Sequence, residues 1–132
     1  MIRVVFVALL LAFSFGAHAG PLDRDFQKLE RELRLNPMQK EQYDMAVAAT
    51  QRAFLAVAMS GMQLQQRMET EMKKPRPDLN LLYDIQEQVF EQNKPLFRDA
   101  REEWSRLFAM LDENQVRIAR RYIEERLDLL LR

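Results

Sequence analysis

Two short stretches, one opening near residue 37 and the other near residue 113, carry the same helix-start chemistry. Leu35-Asn36-Pro37-Met38-Gln39 and Leu111-Asp112-Glu113-Asn114-Gln115 each set a leucine before a small polar residue, with a glutamine three positions later. In a helix that starts there, the Asn36 or Asp112 side chain accepts from the third helical N–H. The glutamine reaches back to the cap's own N–H, so two orphan donors are satisfied reciprocally. Pro37 occupies the first helical position, where a missing N–H costs nothing. Leu111 stands where it can staple against Val116, whereas the equivalent Lys40 has only its alkyl stem for that contact. Two helix origins are thereby set, and the rest of the chain must be arranged around them.

Little else in the chain breaks a helix. Beyond residue 21 the glycines and prolines are Gly61, Pro37, Pro75, Pro77 and Pro95, too few for a sandwich or barrel. Before the first start, Leu22, Phe26, Leu29 and Leu33 recur at helical steps, which predicts an amphipathic helix over 22–35. From Pro37 to Lys74 a second helix spans roughly 57 Å. Its apolar face reads as Ala46, Ala49, Ala53, Ala56, Val57, Met59 and Met62. Pro75 to Pro77 makes a turn, and Asp78 caps a third helix, Leu79 to Met110. Along it Tyr83, Phe90, Phe97 and Trp104 recur every seventh residue. That period is the mark of long helices packed with a left-handed sense, and the stripe reads as core. Pro95 predicts a kink near Glu91 to Pro95. The last helix, Glu113 to Leu131, buries Val116, Ala119, Ile123, Leu127 and Leu130 on this reading. The expected fold is all-α: four helices in an elongated, hairpin-like arrangement with two long members.

Residues 1–19 carry a different signature. Arg3, the apolar run Val4 to Phe15 and the small-x-small site Ala17-His18-Ala19 predict a secretory signal cleaved near Ala19-Gly20, leaving one helical domain over 20–132. A dozen apolar residues reach only roughly 18 Å as a helix, short of the roughly 30 Å hydrocarbon core. Cleavage removes Arg3 and the only histidine, His18, and leaves 19 basic against 20 acidic residues. A balance so close to neutral gives no general attraction for nucleic acid. The chain has no cysteine, so stability after export must come from helix packing or a partner subunit. The short single-arginine signal predicts a periplasmic location.

The mature residues offer little for catalysis. Histidine and cysteine are missing, the hydroxyls of Thr50, Ser60, Thr70 and Ser105 have no base within the sequence pattern, and there is no glycine-rich phosphate loop. The chain reads as a non-enzyme with no cofactor. Met59, Met62, Met68 and Met72 are the metal-ligand candidates, because thioethers suit Cu(I). Met62 and Met68, however, lie about 240° apart around a helix, so the two pairs face different ways, and apolar filler is the favoured reading. Arg67, Met68, Met72, Lys73 and Lys74 gather basic and apolar groups at one helix end and form the candidate client-binding patch. An ordinary solvated helix end has the same composition.

With these features the sequence resembles the LTxxQ-motif proteins, the Spy/CpxP-like periplasmic group. The resemblance rests on the layout and on Leu35, Asn36, Gln39, Leu111, Asp112 and Gln115, with Asn36 and Asp112 standing where the family has threonine. It implies a curved antiparallel homodimer whose long helices form a cradle. It also implies an ATP-independent chaperone of envelope stress that holds unfolded or misfolded periplasmic proteins. Related members dock onto and restrain a membrane stress sensor, and a further branch consists of periplasmic heavy-metal sensors and resistance proteins. Those metal sites use histidine, which the mature chain lacks.

Overall fold

A computed structural model describes residues 19–130, with side chains from 24 to 125 and at Asp128. The expected signal segment lies outside the described residues except for Ala19. Among the described residues there are four helices and no strand: α1 (Ala19–Leu33), α2 (Pro37–Met72), α3 (Leu79–Met110) and α4 (Glu113–Leu130). The fold is all-α. Helix α1 ends two residues before its expected limit, because Arg34 takes a left-handed conformation (φ 50°) and turns the chain into Leu35 and the Asn36 cap. Helix α3 starts from Asp78, whose side chain accepts from the Leu81 N–H at 3.2 Å, and runs unbroken through Pro95 to Met110.

Helices α2 and α3 form a long antiparallel hairpin. The shorter α1 and α4 cover only one end of it, so the molecule divides into a four-helix head and a two-helix arm. The head core consists of Phe26, Leu29 and Leu33 from α1, Tyr43 and Ala46 from α2, Trp104 and Leu107 from α3, and Ala119, Tyr122 and Ile123 from α4. Trp104 is its centre. Phe26 stacks on it with ring centroids 6.0 Å apart, and Tyr43 meets it edge-on at 5.6 Å. Its indole N–H donates to Thr50 Oγ1 at 2.7 Å, and Thr50 in turn donates to the Ala46 carbonyl. The Tyr43 hydroxyl donates to the Phe26 carbonyl. Burial pushes the Tyr43 phenol up from its ordinary value, so it stays protonated and remains a donor.

The two helix starts meet inside this head. Asn36 and Asp112 each accept from the N–H of the glutamine three residues on, at 2.8 Å in both cases. Each glutamine returns the bond, Gln39 at 3.1 Å and Gln115 at 3.0 Å. Both glutamines are buried, and their side-chain amides bond each other twice, at 2.9 Å each way. The second N–H of Gln39 donates to the Met110 carbonyl at 2.8 Å, and that of Gln115 to the Leu33 carbonyl at 3.1 Å. Each glutamine therefore starts its own helix and caps the end of the helix that precedes the other start, α3 for Gln39 and α1 for Gln115, taking up carbonyls that a helix terminus leaves without partners. Every donor and both lone-pair directions of each amide are used, which makes a buried polar pair tolerable.

Candidate interaction surface

The arm begins where α1 and α4 no longer reach. Its seam is built from Ala53, Ile85, Asn93 and Ala100, all buried, with half-buried Leu64, Leu82, Val89 and Leu96 beside them. Asn93 Nδ2 donates to Ser60 Oγ across the seam at 3.2 Å. At the tip, the buried Glu71 carboxylate spans the turn. It accepts from the Asp78 N–H at 3.0 Å and pairs with Lys74 Nζ at 2.8 Å. The Lys74 hydrogen bond, then that from the Asp78 backbone, hold this carboxyl below the usual glutamate value.

The two sides of the seam differ in chemistry. One carries an open cleft of about 420 Å³ lined by Val57, Val89, Phe90 and Phe97 with Gln86, Asn93 and Lys94. Towards the tip it continues through Gln86 into a second cleft of about 280 Å³, lined by Leu64, Met68, Leu79, Leu82 and Tyr83. The other side is a cleft rimmed by Gln63, Gln66, Arg67, Gln88 and Gln92. The apolar side is the one that carries Trp104 further along α3 and that α1 covers in the head. Phe54 and Phe97 make an edge-to-face contact at 6.3 Å where that cover ends. Further out, Phe90 and Tyr83 are each 69% exposed.

The expected core stripe is therefore core only at Trp104. Phe97 is half-buried, and Phe90 and Tyr83 face solvent. The seven-residue period places all four on one side of α3, but a helix packs against that side only in the head. The expected apolar face of α2 needs a similar correction. Ala46, Ala49 and Ala53 are buried, yet Val57, Met59 and Met62 are exposed. Met59 and Met62 belong to an outer stripe with Met38, Met45 and Leu55, on the side of α2 turned away from α3. All six methionines of α2 are exposed, so they do not fill gaps in the core. By length and composition α2 is apolar enough to cross a membrane, and only 22% of its apolar window is buried.

The proposed client-binding residues are not brought together as one patch. Met68 lines the apolar cleft and Arg67 the glutamine-rich one, while Lys74 is committed to Glu71. Met72 and Lys73 are exposed near the tip. The metal candidates are dispersed too, with Met59 and Met62 on the outer stripe and Met68 in the cleft. Among the described residues no three His, Cys, Asp or Glu side chains gather as a metal site. Sequence reasoning missed the cleft face. The signal for it was the neutral, apolar stretch Leu79 to Tyr83 opposite Leu64 and Met68, broken only by Asn80.

No family model, curated protein or solved structure matches the chain. The surface must therefore be read from its own chemistry. It is a long, open, apolar trough with one charged residue in its lining, Lys94, which is paired with Glu91 at 3.5 Å. Its polar groups are the Lys94 amine, the Tyr83 hydroxyl and the side-chain amides of Gln86 and Asn93, set in an otherwise apolar lining.

Proposed function

We propose that this protein is an exported chaperone that works without nucleotide, holding unfolded or misfolded proteins on the arm during envelope stress in the periplasm. The observation that carries the reading is the apolar cleft face. Its aromatic stripe is the outward continuation of the core, and in a single chain it stays open to solvent. Exposed apolar area of this extent is a liability unless it has a use. The methionine-rich α2 supports the same reading, because a flexible thioether adapts to varied apolar partners. A homodimer is part of the proposal. The outer stripe of Met38, Met45, Leu55, Met59 and Met62 is the face available to a second copy while the cleft stays open. The neutral balance and the apolar lining favour protein clients over nucleic acid.

The deciding experiment follows aggregation of a chemically denatured client by light scattering, with residues 20–132 added and no nucleotide present. The expected result is suppression at near-stoichiometric ratio, unchanged by a metal chelator and lost in Phe90→Glu. Suppression that survives Phe90→Glu and Tyr83→Glu together would remove the cleft face from the reading. A lack of suppression at any ratio would remove the chaperone and favour docking onto a membrane sensor.

A further inference from the structure

The cleft face also restricts the conformation of what it can hold, a point that rests on the client-binding reading and goes beyond it. The stripe of Tyr83, Phe90 and Phe97 runs directly into Trp104, where the fold has already seated a helix, α1, through Phe26. The open face is thus continuous with an internal helix-on-helix interface, and its seven-residue period is that of a helical seam. Its lining is also poor in hydrogen-bonding groups. Lys94 is its only charged residue and pairs with Glu91, the Asn93 amide donates to Ser60, and Gln86 and the Tyr83 hydroxyl are the other polar groups among twelve lining residues. An extended segment pressed into such a trough strands the backbone N–H and C=O groups turned into it, and each one left without a partner weakens binding. A helix brings its backbone bonds with it.

We propose that the cleft face takes the apolar side of an α-helix, with Leu or Phe at heptad spacing, laid along α3 as α1 is laid on Trp104, and discriminates against the same segment in extended form. Clients would then be captured through helical or helix-forming segments.

The test uses residues 20–132 and three dye-labelled probes read by fluorescence anisotropy: a three-heptad amphipathic helical peptide with leucine at the seam positions, the same peptide with two central residues replaced by proline, and a reduced, alkylated unfolded protein. The expected result is binding of the helical peptide about tenfold or more tighter than its proline form. Phe90→Glu should abolish the difference, and Gln66→Glu on the opposite face should leave it intact. Circular dichroism and Trp104 fluorescence confirm that each variant is folded. Equal binding of both peptides, or binding of the unfolded protein alone, overturns the helix preference and leaves the chaperone reading standing. Failure of all three probes removes both. Dissociation of a dimer by Phe90→Glu with no change in peptide binding assigns the face to a second copy and also overturns the proposal.

Discussion

Trp104 and Phe90 occupy the same position of one seven-residue repeat on one helix, and their surroundings are opposite. Trp104 is 2% exposed, stacked by Phe26 and bonded to Thr50, whereas Phe90 is 69% exposed. The head and the arm thus share a helix, a period and a residue type. They differ only in whether α1 and α4 extend over them. A repeat in one helix fixes which side of that helix is apolar; burial depends on a second element arriving there.

The largest expected effect tests that contrast directly. Trp104→Ala removes the centre of the head and should cost about 3–5 kcal/mol, a large share of a small domain's stability. Phe90→Ala, two repeats away, should change stability by no more than about 0.5 kcal/mol. Urea denaturation followed by circular dichroism measures both. A Phe90→Ala cost of several kcal/mol at high protein concentration, vanishing on dilution, would mean that a second copy covers the arm as α1 covers the head.

The glutamine clasp is the head's other distinguishing feature, and the seam of the arm carries the Asn93–Ser60 bond. Gln115→Glu exchanges two donors for acceptors. It leaves the Leu33 carbonyl and Gln39 Oε1 facing a carboxylate, and should cost about 3 kcal/mol. Replacing both Gln39 and Gln115 by leucine should cost less than the sum of the two single leucine variants, because each single change strands the other amide. Strict additivity in urea denaturation would mean that the two amides act independently.

The two helix starts were legible in the sequence because a capping box lies within four residues and depends on nothing distant. Their meeting was not legible. Gln39 and Gln115 are linked across 76 residues, and nothing local in either stretch states that its amide has bonds left to give. The ends of the helices were legible to within three residues: the first helix starts at Ala19 rather than Leu22, the second ends at Met72 rather than Lys74, and the shift at Leu33 comes from Arg34, a residue that does not advertise a left-handed conformation. The stripe on α3 was read with the correct period and the wrong burial. For α2, alanine and methionine were placed on one face because both are apolar, whereas the structure sorts them by size. Ala46, Ala49 and Ala53 lie where the helices approach closely, and Met59 and Met62 lie outside.

Asn93 sharpens the comparison on the arm's side. It is a polar residue in an apolar seam, a device that fixes register at some cost in stability. Asn93→Leu should raise the unfolding free energy by up to about 1 kcal/mol, because Ser60 can turn its hydroxyl to a backbone carbonyl of its own helix. The measurement is again urea denaturation, with sedimentation to detect any change of assembly. A loss of stability would mean that the amide contributes more to the arm than a methyl-filled seam would.

The smallest effect separates the two regions by pH. Glu71 ties the tip of the arm through Lys74 and the Asp78 N–H, and its folded pKa lies below the unfolded glutamate value. The sign follows from linkage. The unfolded chain takes up a proton first as pH falls, so the stabilisation is present above the unfolded pKa and is lost as pH falls through the folded one. The side-chain amides of Gln39 and Gln115 carry no ionisable group. Amide hydrogen exchange at Asp78 should therefore accelerate on acidification, after correction for intrinsic rates, while exchange at Gln39, whose N–H is held by the Asn36 amide, changes less. Glu71→Gln keeps an acceptor for the Asp78 N–H, loses the Lys74 ion pair and should remove this pH dependence. If Asp78 in Glu71→Gln still responds to acid as the parent does, a different carboxylate holds the tip, and acid does not distinguish arm from head through Glu71.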